Sequence, residues 1–315
     1  MDQLFLILLN GLVYGLLLFM LSSGLTLIVG MMGVLNFAHA SFYMLGAYVA
    51  FTLTSVLNFW VALIVAPLVV GMLGAIVEQY GLRTVHKHGH LAELLFTFGL
   101  AMIVGEVVQL VWGRWPVSYH VPPELDFPLF SIGGTAYPAY RIFMMGISLF
   151  MFAALYAALA RTRLGLVVRA ALTHPDMTAM LGHNVPRVFT IVFGGGCALA
   201  GLAGVIAGNA YQTDPGMALA LGAIVFAVVV MGGLGSISGA LLASLIIGMV
   251  QTVSIGLDMK FYTALARLGI HVDPNGWLGD VWEISINRAA PVVPFLLLVL
   301  ILAVHPKGLV GSRST

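Results

Sequence analysis

Gly33–Val49, GVLNFAHASFYMLGAYV, is the stretch on which the reading of this chain turns. In strongly apolar surroundings it places Asn36, His39, Ser41 and Tyr43 within about two helical turns. A polar group in hydrocarbon needs a partner or a water-lined path, so lipid-facing helices do not carry such a cluster. A polar helix start inside a membrane bundle points to a conduit or to a buried packing seam. On a helix starting near Leu35, the residues Asn36, His39, Ala40 and Tyr43 share one face. They either hydrogen-bond across helices to hold the bundle or line a translocation path, and one residue can do both.

The rest of the chain supplies the bundle. Hydrophobic residues make up 61% and charged residues only 8%, against roughly 25% charged in soluble domains. The expectation is an all-α polytopic transmembrane bundle forming one domain, 1–315. A net charge of +1 without a long basic run gives no reason to expect a nucleic-acid partner. The one cysteine, Cys197, excludes an intrachain disulfide. Met1-Asp2-Gln3 lacks the positive start of a signal peptide, so the apolar run to Gly30 reads as a first span.

With about 20 apolar residues per span, spans are expected near 4–30, 36–56, 59–80, 93–112, 142–160, 188–209, 218–231, 237–256 and 290–304. The seventh is short and readable as a broken or re-entrant helix, which makes the expected count eight or nine. If loops 81–92 and 161–187 and the C-terminus share a side, that side carries Arg83, Lys87, Arg161, Arg163, Arg169, Arg187, Lys307 and Arg313. By the positive-inside rule it is the cytoplasm, with the N-terminus outside.

Two stripes of small residues recur every four positions: Gly196, Ala200, Gly204, Gly208 and Ser236, Ala240, Ser244, Gly248. Gly11 and Gly15 form a shorter pair. Such spacing lets helix backbones approach closely, either within one bundle or at a subunit interface. Loop 161–187 is too patterned for a connector. Thr173 and Asp176 resemble a capping box, Pro175 suits a first turn, and Gly182 supplies a stop before Pro186. A short helix from about His174 to Leu181 follows, with Met177, Met180 and Leu181 on one apolar face. That face docks on the membrane or its own bundle, or in the groove of a partner.

Here the chain resembles the permease subunits of branched-chain amino-acid ABC transporters, of the LivH type. The similarity is carried by NFAHASFYMLGAY at Asn36–Tyr48, RAALTHPDMTAMLGHNVPRV at Arg169–Val188 and MGGLGSISGALLASLIIG at Met231–Gly248, in family-like order and spacing. Two departures are Ala40-Ser41 in place of Gly-Glu or Gly-Asp, and His183 in place of a branched aliphatic residue. The resemblance implies a second homologous permease subunit, two ATP-binding-cassette ATPases and a periplasmic solute-binding protein, in a bacterial inner membrane. It implies that Arg169, Ala170, Ala171, Thr173, Asp176, Met177, Met180, Leu181 and Gly182 belong to the ATPase-contacting loop. The implied solute is a branched-chain or other small neutral amino acid, with urea, short amides or aromatic acids as alternatives.

No Gly-x-x-x-x-Gly-Lys-Ser/Thr occurs, so ATP and magnesium are expected on partner ATPases and no cofactor in this chain. GGLGSISG does not fit Gly-x-Ser-x-Gly, no base lies nearby, and no enzyme activity is expected. His86, His88 and His90 alternate in a basic loop and read as solvated rather than metal-binding. Glu106, an acid within the fourth span, is a functional candidate, or it reaches the interface or pairs with Arg114. A self-sufficient secondary transporter, the rival class, would need a coupling-ion site, for which only Glu106 is available.

Overall fold

The computed structural model describes residues 2–173, 175–257, 259–267 and 282–310. In chain order the helices are α1 (Asp2–Met32), α2 (His39–Val56), α3 (Phe59–Ile76), a π turn (Val77–Leu82), α4 (Arg83–His86) and α5 (His90–Trp112). A hairpin, β1 (Pro128–Ile132) and β2 (Thr135–Pro138), precedes α6 (Ala139–Arg161), α7 (Arg163–Thr173) and α8 (Pro175–Met180). Then come α9 (Val185–Gly208), α10 (Met217–Gly232), α11 (Ile237–Gly256), α12 (Phe261–Arg267), α13 (Ile286–Ala289) and α14 (Val293–Val304). Seven helical segments are long and apolar enough to cross a membrane, among them Phe59–His86 taken through the π turn and Ile286–Val304. The other two expected spans are α2 and the 16-residue α10. α10 runs unbroken, so the broken-helix reading of the seventh span is corrected. His174 and Arg313 lie outside the described residues, as does the side chain of Thr173.

Local chemistry sets the helix ends. Gly33 stops α1 in the left-handed region at φ +64, with its N–H on the Val29 carbonyl at 2.9 Å. Asn58 caps α3 by accepting from Val61 N–H at 2.9 Å. The hairpin, which the all-α expectation did not contain, turns on Gly133-Gly134. Both have positive φ, as a two-residue turn between Ile132 and Thr135 requires.

α1 and α9 form the centre. From Leu16 to Val29 every residue of α1 is buried, whereas Leu4 and Phe5 near its start are exposed. Its buried Ser22 and Ser23 hydroxyls donate to the carbonyls of Phe19 (3.3 Å) and Met20 (2.8 Å), whereas the buried Thr26 hydroxyl has no partner among the described residues. The α9 stripe is spent inside the chain. Gly196 lies against Gly24 and Ile28 of α1, Gly204 against the Tyr43 carbonyl of α2, and Gly208 against Ala47, Thr213 and Tyr119, while Ala200 is buried. On α11, Gly248 crosses Gly11 and Gly15 of α1, Ser244 presents its carbonyl to Gly15, and Ala240 lies against Gly232. Ser236 differs: it is the cap of α11, accepting from Gly239 N–H at 3.1 Å. Both stripes thus serve contacts within the bundle. The outward faces of α3 and α5 stay apolar and exposed, as at Ile64, Leu68, Ile103 and Leu110.

Each end of the bundle is tied by its loops. At one end, Arg83 donates to the Pro186 carbonyl (2.9 Å) and pairs with buried Glu78 (2.8 Å), which also accepts from the Thr190 hydroxyl (2.6 Å). The tail joins the same end through Leu309 N–H to the Met231 carbonyl, 2.8 Å. At the other end Val117 N–H donates to the Thr213 carbonyl (3.0 Å) and the Tyr119 hydroxyl to the Val205 carbonyl (3.2 Å). Burial pushes the Tyr119 phenol up to about 12, so it stays a donor at any physiological pH.

Candidate translocation cavity and coupling face

A cavity of about 600 Å³ lies between the start of α2, α5, α10 and α14, within the roughly 300–1,000 Å³ of small-molecule sites. α5 contributes Phe98, Met102, Gly105, Glu106 and Gln109, at the spacing of one helix face. α10 contributes Leu219, Gly222 and Phe226 at the same kind of spacing. The walls are mostly apolar, and the polar groups are few: Asn36, His39 and Ser41 toward one end, Glu106 and Gln109 on α5.

The first group is held by unusual local geometry. Asn36 precedes α2 and accepts from Ala38 N–H at 3.0 Å through Oδ1, leaving Nδ2 without a partner among the described residues. His39 places Nε2 3.0 Å from the Leu21 carbonyl of α1. Donation from Nε2–H leaves Nδ1 as an unpaired acceptor. Gly24 makes room for the ring, since a Cβ there would stand 2.9 Å from the imidazole Cε1. Asn36 is 4% exposed and His39 1%. A buried polar atom without a protein partner is rare and calls for a water or a ligand.

Of the four polar residues singled out in the sequence, three meet at the cavity and one does not. Asn36, His39 and Ser41 line it; Tyr43 is buried and sits where α2 crosses Gly204 of α9. His39 is at once an α1–α2 tie and a cavity residue. Phe37 was not singled out, yet its ring stacks on Phe226 at 6.2 Å across the cavity's Asn36 end. Thr97 of α5 joins this end, its hydroxyl 3.4 Å from both Phe37 N–H and the Leu35 carbonyl. Glu106 makes no ion pair with Arg114 among the described residues, and it faces the cavity instead.

Sequence reading also missed a buried acid pair at the end bearing Arg83. Glu93 opens α5, only 2% exposed, and contacts His86 closely and His90 at 3.3 Å. Two of the alternating histidines are therefore partners of a buried carboxyl group; His88 is exposed. The signal was present in the i, i+3 spacing of His90 and Glu93 and in an acid, Glu78, placed just before Arg83.

On the same end, α8 projects from the bundle. Met177, Met180 and Leu181 are 63%, 86% and 79% exposed, and Asp176 is exposed beside them. Gly182 ends the segment at φ +87, with its N–H on the Ala179 carbonyl at 3.0 Å. In α7, Ala171 is buried, Ala170 half-buried, and Arg169 donates from Nε to the Gly165 carbonyl at 3.3 Å.

A bundle of membrane-length helices around a cavity of small-molecule size has the architecture of a multi-pass membrane transport protein. Comparison with known proteins narrows the class. The family described as "Branched-chain amino acid transport system / permease component" matches residues 7–302, and the chain belongs to it. It is 28% identical over 317 residues to the high-affinity branched-chain amino acid transport system permease protein BraD of Pseudomonas aeruginosa, covering 96% of this chain and 94% of that one. The LivH permease of Escherichia coli K12, of the same description, is 28% identical with the same coverage. A probable LivH of Methanocaldococcus jannaschii is 29% identical over 256 residues, 78% of this chain and 79% of its own. No solved structure matches. These relatives are transport permeases, and the chain is a permease component rather than an enzyme.

Proposed function

We propose that this permease is one membrane subunit of an ATP-driven importer of branched-chain or other small neutral amino acids in a bacterial inner membrane. Its partners are a second, homologous permease, two ATP-binding-cassette ATPases that hold ATP and magnesium, and a periplasmic binding protein that delivers the solute. The cavity bounded by Asn36, His39 and Ser41 is the solute's path, and Tyr43 supports it through the α2–α9 crossing. The end bearing Arg83, Arg161, Arg187 and Lys307 is cytoplasmic by the positive-inside rule, which puts α8 on the side where ATPases act.

The observation that carries this reading is the bare apolar face of α8. Methionine and leucine side chains this exposed beyond the spans gain from burial in a groove, at roughly 25 cal/mol per Å² removed from water. The helix-in-groove mode supplies such a groove on a partner. The segment from Arg169 through Thr173 to Gly182 then transmits ATPase motion to α9. The testing experiment is uptake of radiolabelled leucine into proteoliposomes holding the reconstituted complex and its binding protein. Uptake should require ATP on the ATPase side. Uptake driven by an ion gradient without ATP would replace this reading with a secondary transporter.

A further inference from the structure

We propose that Glu106 is the recognition point for the solute's ammonium group at an outer station of the path, separate from an inner station at Asn36 and His39. This rests on the amino-acid reading above and sharpens it to solutes carrying a protonated amine.

The argument begins with charge. Glu106 is the one acidic side chain lining the cavity, and neither lysine nor arginine lines it among the described residues. Glu106 is exposed, lines the cavity and forms no ion pair among the described residues. An acid within a membrane span is unfavourable without a partner, and a cavity with one acidic and no basic side chain is complementary to a cation. Glu106 is exposed and stands at the border of the cavity face of α5, between Met102 and Leu110 in helical angle. It stands with Met102, Gly105 and Gln109 on the cavity wall.

The second observation is independent. Asn36 Nδ2 and His39 Nδ1 are buried, have no partner among the described residues and belong to residues lining the same cavity. Thr97 marks their level on α5, and Glu106 lies nine residues further along it, about 14 Å at helical rise. One small amino acid cannot bridge that distance, so the polar groups form two stations with the apolar walls of Phe98, Ala101 and Met102 between them. The outer station offers an acid to an ammonium group. The inner one offers a neutral amide donor and an imidazole acceptor, which release a zwitterion more easily than a fixed charge would. Urea, simple amides and carboxylic acids lack the ammonium group that Glu106 would pair with.

The test reads Glu106 directly in the assembled complex, since the binding protein also selects solutes. The complex in proteoliposomes is treated with dicyclohexylcarbodiimide, and modification of Glu106 is followed by peptide mass spectrometry. Leucine, isoamylamine and 4-methylpentanoate are compared as protectants. Leucine and the amine should slow modification about tenfold or more, as expected for a charged hydrogen bond, and the carboxylic acid should not. No protection by either amine, or equal protection by 4-methylpentanoate, overturns the proposal. Glu106→Gln should lower leucine uptake by a similar factor with both ATPases and the second permease still co-purifying, and Glu106→Asp should restore part of it. Loss of the second permease from Glu106→Gln, together with unprotected Glu106, would make the acid a subunit contact and refute the assignment. If the intact complex imports no amino acid at all, the functional reading fails, while protection of Glu106 by isoamylamine still reports on the site itself.

Discussion

Gly204 offers the sharpest test of how this bundle is held. A Cβ added there would stand 2.0 Å from the Tyr43 carbonyl oxygen and 2.8 Å from the Ala47 nitrogen. Both are backbone atoms of α2, so no side chain can move aside and the helices must separate. Overpacking of this kind costs about 1–3 kcal/mol or more, against a helix-propensity gain of about 1 kcal/mol for glycine to alanine. Gly204→Ala should therefore lose about 1–2 kcal/mol net, the contacts being to backbone, and Gly204→Leu more. Gly195 is the control on the same helix: nothing lies within 4 Å of a Cβ there, so Gly195→Ala should be neutral or stabilising by up to about 1 kcal/mol. The assay is the midpoint of heat-induced loss of monodisperse permease, purified alone in detergent. Working on the isolated subunit matters, because the α9 crossing is internal and its disruption must show without any partner chain. A midpoint for Gly204→Ala equal to or above that of Gly195→Ala would refute the close-packing argument.

Further expectations follow from other contacts. Arg83→Ala leaves buried Glu78 with only the Thr190 hydroxyl and should destabilise by about 2 kcal/mol, discounted because Arg83 is partly exposed; Arg83→Ala with Glu78→Gln should recover much of this, and a double variant no better than the single would count against the pair. His39→Leu should reduce leucine uptake and lower stability by no more than about 1 kcal/mol, the worth of one hydrogen bond to Leu21; wild-type values of both would refute either role. Met177→Asp and Leu181→Asp should leave insertion intact but release the ATPases on purification, because a charge in an apolar contact is unfavourable without a partner; full ATPase stoichiometry with normal uptake would move the contact elsewhere. In a Cys197→Ser background, His88→Cys should resist impermeant thiol reagents in spheroplasts and Pro123→Cys should label, the reverse pattern overturning the orientation.

How far the sequence reaches depends on which forces are local. The nine apolar segments, the stop at Gly33, the cap at Asn58 and the short helix before Gly182 are governed by hydropathy, glycine conformation and neighbouring side chains, all written within a few residues of each other. Asn36 and His39 were legible as a polar cluster because polar groups in apolar runs need a partner or water, and both line one cavity. Facial periodicity groups Tyr43 with Asn36 and His39 by angle alone; in the fold Tyr43 is buried away from the cavity lining, and its backbone carbonyl meets Gly204 of α9. Small-residue spacing announces a close contact without naming the partner, so only the fold distinguishes an internal crossing from a subunit seam.

By itself, then, the chain's pattern of apolar runs and breaks determined a multi-pass helical bundle with a short helix set between α7 and α9. Which polar atoms share one space was decided only in three dimensions. Glu106 on α5 and Asn36 before α2 are seventy residues apart, and the Phe37–Phe226 stack joins residues far more distant still. The physical reason is that hydrocarbon rewards burial of any apolar face equally. Hydropathy therefore specifies that helices form and cross, while the shape fit of glycine-lined surfaces selects which helices meet and so which side chains face one cavity.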